Sequence, residues 1–206
     1  MCWSLIVVDL LMSSCLIPSS AVLGAGVVEQ PTDRSIFLWP EGKAPAQAAD
    51  NDFRPWLEPY LVETGEPRGA VIVCPGGGYS GRAGHEGSPI AQMYNEAGLN
   101  AFVLQYRVSP NRHPAPISDA ARAVRIVRER AAEWNVKPDH IAILGFSAGG
   151  HLTASLGVHF ADVKYDGDDS AVSCRPDALV LCYAVISSGK FGHRGSMENL
   201  LGPNPT

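Results

Sequence analysis

The sequence predicts an α/β fold, a mostly parallel sheet with helices on both faces, and three observations carry that prediction. First, residues 70–74 (AVIVC), 101–106 (AFVLQY) and 178–186 (ALVLCYAVI) are near-continuous apolar runs, the composition of strands covered on both sides. Second, the segments between them carry apolar residues at helical spacing, and a strand-helix-strand order implies a right-handed crossover between parallel neighbours. Third, residues 141–151 (IAILGFSAGGH) pass from strand composition through a glycine into small residues that open a helix.

Length and charge narrow the classes. With 206 residues, 46% hydrophobic and 18% charged, the chain has room for one sizeable core, and a single domain over residues 27–206 is expected. A formal net charge of -5 and the lack of a Lys/Arg cluster speak against nucleic acid and membrane-surface partners. Small, weakly charged substrates fit better. Five cysteines without metal-type spacing give no disulfide framework: Cys2 and Cys15 lie in the leader, Cys74 and Cys182 in apolar strand runs, and Cys174 ahead of a proline. Cys74 and Cys182 read as small buried hydrophobes. No metal and no cofactor are expected. Residues 1–26 are apolar from Trp3 to Leu16 and end in small residues, which suits a signal peptide and a secreted or periplasmic protein. Asp9 and the absence of Lys or Arg before Arg34 disfavour a spanning helix.

In chain order, residues 27–52 read as an irregular arm, and residues 56–62, flanked and interrupted by Pro55 and Pro59, as an edge strand. The strand at 70–74 runs into Pro75-Gly76-Gly77-Gly78-Tyr79, where three glycines let the backbone approach a ligand and turn N–H groups toward it. His85 and Glu86 follow closely enough to line a pocket with Tyr79, or to form a solvated loop pair. Ser88 is the expected cap of a helix with Pro89 in its first turn and Ile90, Met93, Tyr94 and Ala97 on one face, stopped by Gly98. A second helix keeps Ile117, Ala120, Val124, Val127, Ala131 and Trp134 on its core side. Its arginines, Arg122, Arg125 and Arg128, read as a solvated face balanced by Asp119, Glu129 and Glu133. Asn135 and Pro138 end it. His151, one turn into the helix at residues 147–160, reads as a buried structural histidine, and the acidic stretch 162–169 as a solvated loop.

Gly145-Phe146-Ser147-Ala148-Gly149 satisfies G-x-S-x-G between a strand and a helix. Gly145 and Gly149 remove side chains that would collide when a serine sits on a strained turn. Ser147 Oγ is thereby presented as a nucleophile, with the Ala148 N–H at the positive end of the new helix aimed where an oxyanion would form. N–H groups of the 75–79 loop, at Gly77 or Gly78, would complete the oxyanion hole.

On these residues the chain, from residue 39 onward, resembles the α/β-hydrolase superfamily, specifically bacterial esterase/lipase-type proteins grouped with acetylxylan esterases. The motifs are CPGGGY (74–79), HEG (85–87), YRV (106–108), HPAP (113–116), GFSAGGH (145–151), the CYAVIS strand and the HRGS loop (193–196). Pro75 stands where these enzymes often carry histidine. The resemblance implies Ser147 as nucleophile, Ala148 and a glycine of the 76–78 loop as oxyanion donors, and an acyl-enzyme. It also implies an acid and a histidine on loops after two further strands, which the sequence does not contain. The expectation is therefore the amino-terminal part of a longer hydrolase, with neither Asp177, His159 nor His193 promoted to the triad. Carboxylic ester hydrolysis, on a small acyl ester or an acetylated polysaccharide such as xylan, is the implied activity. Acyl-peptide or formamide hydrolysis, and a non-catalytic module that retains the elbow, are the alternatives. Oligomeric state is left open.

Overall fold

Neighbouring side chains of a strand point to opposite faces, and both sets are apolar here, so the sheet has to be covered twice. The computed structural model describes residues 30–63, 65–165 and 171–204. Parallel strands β3 (Arg68–Cys74), β4 (Asn100–Gln105), β5 (Val136–Phe146) and β6 (Ala178–Cys182) form most of the sheet. β2 (Trp56–Tyr60) and β1 (Ile36–Phe37) extend it antiparallel, in the order β1-β2-β4-β3-β5-β6. Ala70, Ile72, Cys74, Phe102, Leu104, Ile141 and Ile143 pack with residues of α2 (Ala115–Glu129) and α3 (Ser147–His159). Val71, Val73, Ala101, Val103 and Leu144 pack on the other face with α1 (Ser88–Glu96). The expected α/β architecture is present.

The connection from β3 through α1 leads to β4 on one side, and α2 then carries the chain to β5 on the other side of β3. Such a reversal opens a crevice beyond the carboxyl ends of the strands, where open α/β sheets bind ligands. Register puts Cys74 opposite Gly145, so β3 and β5 end level and their following loops leave together.

Several elements differ from the sequence reading. The arm at 27–52 contains β1, which shields β2, and its Trp39 is buried. Ser88 is the first helical residue, behind an N-cap at Gly87; Ala91 is the fully buried residue of α1, whereas Met93 and Ala97 are exposed. α2 ends at Glu129, and Pro138 lies inside β5. β6 stops at Cys182, because Tyr183 turns to φ +36°. The HRGS stretch opens a helix, α4 (Arg194–Leu201), with the His193 side chain capping it. The leader 1–26, with Cys2 and Cys15, and Asp166, Asp168 and Asp169 of the acidic stretch lie outside the described residues. Asp162 of that stretch lies 3.5 Å from His159 Nδ1.

Arg122 of α2 is half-buried and pairs with Glu129 at 3.3 Å, as read from the sequence, but Arg125 and Arg128 are not a solvated face. Arg125 is buried and donates to the Val172 carbonyl (2.9 Å) and the Tyr165 hydroxyl (2.6 Å). Arg128 donates to the carbonyls of Pro138, Ser173 and Arg175 and pairs with Asp177 at 2.9 Å. These guanidinium groups supply donors to irregular backbone before β6, a tertiary demand that helical periodicity does not register. Asp119 does not balance them. It is fully buried, accepts from the Arg107 backbone N–H (2.9 Å), the Arg107 guanidinium (2.7 Å) and Trp39 Nε1 (2.8 Å), and so joins the segment after β4, the arm and α2.

Two predictions follow from this packing. Asp119→Ala leaves the buried Arg107 without its anion and should cost about 3 to 5 kcal/mol in denaturant unfolding; a variant as stable as its parent would show that the pair is not structural. Among the described residues β6 is the outer strand, and ALVLC offers an unpaired edge without Lys or Pro to deter pairing. Residues 27–206 should therefore elute above monomer mass in size exclusion, with Leu181→Lys shifting them toward monomer. A monodisperse parent monomer would reject the edge argument.

Candidate active site

Ser147 is the first residue of α3 and its φ is +49°, while Phe146 before it is extended at φ −108° and ψ 137°. The chain changes from strand to helix in one residue, which lifts the serine side chain off the backbone. A left-handed conformation costs a residue with a Cβ roughly 1–2 kcal/mol. Close packing around the turn holds it in place. A Cβ at Gly145 would lie 2.1 Å from the Gly149 carbonyl oxygen, and one at Gly149 would lie 2.1 Å from that of Cys74. Ala148 is buried, and its N–H belongs to the first turn of a 13-residue helix, where N–H groups have no intrahelical acceptor and the dipole is positive.

The glycine loop passes directly beside this turn: a Cβ on Gly76 would lie 3.0 Å from Ser147 Cβ and 2.9 Å from the Phe146 carbonyl oxygen. Each carbonyl from Pro75 to Tyr79 is engaged. Pro75 accepts from the Tyr106 hydroxyl (2.6 Å), Gly76 from Ala83 N–H (2.9 Å), and Gly77 from Ser80 and Gly81 N–H (3.0 and 3.2 Å). Gly78 accepts from Asn199 Nδ2 (2.9 Å) and Tyr79 from Ser109 N–H (2.8 Å). The Gly76 N–H is also used, donating to Glu86 Oε2 at 2.7 Å. The N–H groups of Gly77 and Gly78 have no acceptor among the described residues. In a trans peptide N–H and C=O point oppositely, so both face away from the 80–83 turn that holds the Gly76 and Gly77 carbonyls. Of the 76–78 glycines, Gly76 is thus unavailable as an oxyanion donor, and Gly77 and Gly78 are free.

Around this pair the suspected pocket residues separate. Tyr79, at φ +57°, is 2% exposed, and its hydroxyl meets His151 Nδ1 at 2.9 Å. Burial, then the nearby His113, lowers the His151 pKa, which suits a neutral ring bonded to a phenol. His151 is half-buried in that contact, so the structural reading fits its surroundings. A cavity of about 440 Å³ lies on its far side, lined by Tyr79, His113, Ile117, His151, Met197 and Leu200 among others, and Ser147 is not in its wall. Glu86 is turned inward, whereas His85 is exposed at the surface. Burial pushes the Cys74 thiol up to about 12, as expected of an inert apolar cysteine.

No described histidine takes the place of a base. Ser147 Oγ has no hydrogen-bond partner among the described residues. His159 sits at the other end of α3, about 18 Å along the axis. Asp177 precedes β6, at the opposite end of the sheet from Ser147, where its carboxylate accepts from Ile141 N–H at 2.9 Å. His193 Nδ1 accepts from Ser196 N–H at 3.1 Å as the cap of α4. Among the described residues no group of three or more His, Cys, Asp or Glu could hold a metal ion.

Sequence reasoning did not find the loop's partners. Asn199 lies 121 residues downstream of Gly78, and Tyr183, which bonds Glu86 behind the loop, lies 97 residues downstream of Glu86; no local pattern marks either. Tyr106, in contrast, stood in a motif noticed only as a resemblance.

Comparison with known proteins agrees with this geometry. Endo-1,4-beta-xylanase B of Butyrivibrio fibrisolvens is 40% identical over 174 residues, 82% of this chain and 27% of that protein. An acetylxylan esterase of Xylanibacter ruminicola is 37% identical over 145 residues, 69% of this chain and 28% of that protein. The chain thus spans little more than a quarter of the length of these curated relatives. The crystal structure of an acetyl ester-xyloside bifunctional hydrolase from Caldicellulosiruptor lactoaceticus superposes with a TM-score of 0.79 at 45% identity, covering 88% of this chain and 67% of that one. A family model matches residues 59–191, and with an elbow serine, a carbonyl-locked glycine loop and an α/β-hydrolase sheet in place, the chain belongs to the BD-FAE family.

Proposed function

We propose that the chain carries the nucleophile and oxyanion hole of a serine carboxylic ester hydrolase that removes acyl groups, in particular acetyl groups from a xylan-type polysaccharide. The observation that carries the reading is the left-handed Ser147 at the β5–α3 corner, packed against a glycine loop whose free N–H groups are those of Gly77 and Gly78. Ser147 Oγ attacks the acyl carbonyl, the N–H of Ala148 and one or both glycine N–H groups receive the oxyanion, and an acyl-enzyme forms with loss of the alcohol. Water then releases the acid. The Oγ proton needs a base, and in the family order the acid and histidine follow two further strands; this reading assigns neither to a described residue. The polysaccharide is supported by the names of the xylanase and acetylxylan esterase relatives. Export through the leader 1–26 would bring the protein to such a substrate, and among the described residues no helix is long and apolar enough to cross a membrane.

A second reading, a non-catalytic module that keeps the elbow, draws on the unpartnered Ser147 Oγ. One experiment separates the two. In a protein that includes the strands carrying the acid and histidine, Ser147 under the esterase reading is labelled by a fluorophosphonate, and Ser147→Ala lowers hydrolysis of p-nitrophenyl acetate by up to about a millionfold. If that longer protein folds yet neither hydrolyses the ester nor takes the label, the second reading is supported, and substantial activity in its Ser147→Ala variant rejects Ser147 as nucleophile.

The two glycines also differ in a testable way. A Cβ on Gly77 would lie 2.3 Å from the Gly81 carbonyl oxygen, whereas one on Gly78 meets nothing closer than 3.6 Å. Gly77→Ala must displace the loop and should cost about a hundredfold or more in kcat/KM, the scale of losing one oxyanion donor. Gly78→Ala should cost much less, and equal losses would contradict the loop geometry.

A further inference from the structure

Glu86 has no part in the chemistry above, yet it is 8% exposed and stands against the glycine loop. Its Oε2 accepts from the Gly76 N–H at 2.7 Å, and its Oε1 accepts from the Tyr183 hydroxyl. Tyr183 follows β6 directly, and its ring lies 5.7 Å from that of Phe146, the residue before the nucleophile. One carboxylate therefore joins two segments that flank Ser147. Gly76 has little room to move, since its missing Cβ would lie 2.7 Å from Glu86 Oε2 and 3.0 Å from Ser147 Cβ.

We propose that Glu86 is a positioning residue of the oxyanion loop: by holding the Gly76 N–H and, through Tyr183, the segment after β6, it sets the peptides that present the Gly77 and Gly78 N–H groups. The inference rests on the esterase reading. An N–H bonded to a carboxylate is held more strongly than one bonded to a neutral acceptor, and turning it away would leave one buried carboxylate oxygen without its donor. With Gly76 so fixed, and the Gly76 and Gly77 carbonyls fixed by the 80–83 turn, the next two N–H groups have little freedom left. Their placement matters, because a displacement of about 1 Å at a reacting centre can cost about a hundredfold in rate. The negative charge itself does not help, since it opposes a developing oxyanion. A neutral acceptor of the same shape should therefore serve.

In the same longer protein, the test compares Glu86→Gln and Glu86→Ala for p-nitrophenyl acetate turnover per fluorophosphonate-titrated serine, alongside ¹H–¹⁵N spectra of ¹⁵N-glycine-labelled protein. Glu86→Ala should lower kcat about tenfold to a hundredfold with KM little changed, and should move the Gly76, Gly77 and Gly78 amide resonances. Glu86→Gln, which still offers an oxygen to Gly76, should keep most of kcat and leave the Gly77 and Gly78 resonances near their parent positions. Parent-like kcat or unmoved Gly77 and Gly78 amides in Glu86→Ala would overturn the proposal, as would a Gln variant impaired as deeply as Ala. Failure of the esterase reading shows separately, as a parent without Ser147-dependent turnover. The glycine resonances still report the latch in that case.

Discussion

The site depends on one close approach. The first turn of α3 lies against the end of β3 so tightly that a Cβ on Gly149 would come 2.1 Å from the Cys74 carbonyl oxygen. No rotamer of a larger residue relieves a clash at Cβ, so a side chain there must separate helix from strand. That contact brings the loop after β3 beside the serine after β5, and the level ends of the two strands make it possible. The strained φ of Ser147 follows from the same demand: a gentler turn would start the helix farther from the sheet and lower the serine away from the loop. The conformational cost, roughly 1–2 kcal/mol, is small beside the burial of Ala148, Leu152 and Leu156 on the sheet.

The glycine loop shows how a backbone becomes a donor array. A peptide offers as many acceptors as donors, and an anion would be repelled by any carbonyl facing it. Here the carbonyls of Pro75 through Tyr79 are all occupied, by Tyr106, Ala83, Ser80 and Gly81, Asn199 and Ser109. What remains unpaired is N–H. Positive φ at Gly77, Gly78 and Tyr79 in succession is the backbone path that permits this sorting, and only glycine takes the first of those angles, +134°, without strain.

The extent to which this was legible in the sequence follows from the range of each interaction. G-x-S-x-G, the glycine triplet and the apolar strands are short-range patterns whose meaning lies within a few residues, and the elbow corner and parallel sheet are where they indicated. The fate of a charged side chain is a long-range property. Asp119 sits at a helical position that looks solvated, and only the arrival of Arg107 from the segment after β4 and Trp39 from the arm makes it a buried acceptor. Arg125 and Arg128 obey the helical period of a surface stripe while donating to carbonyls some 45 residues away in sequence. β6 reads as nine residues by composition and is five by backbone, since Tyr183 leaves the strand with its hydroxyl bonded to Glu86.

The same logic bears on the histidines. Under the proposed esterase reading, a base for Ser147 would have to approach Oγ from the side away from Gly76, which packs against the serine. His151 is carried on α3 with the serine, and its Nδ1 is committed to Tyr79 beneath the loop. Its pKa is lowered, by burial first and His113 second, which favours a neutral ring against that buried phenol. His151 therefore acts as a strut against Tyr79, the residue that follows Gly77 and Gly78. Such a strut and a mobile proton carrier make opposite demands on one imidazole: the first needs a fixed tautomer, the second must change its protonation in each turnover.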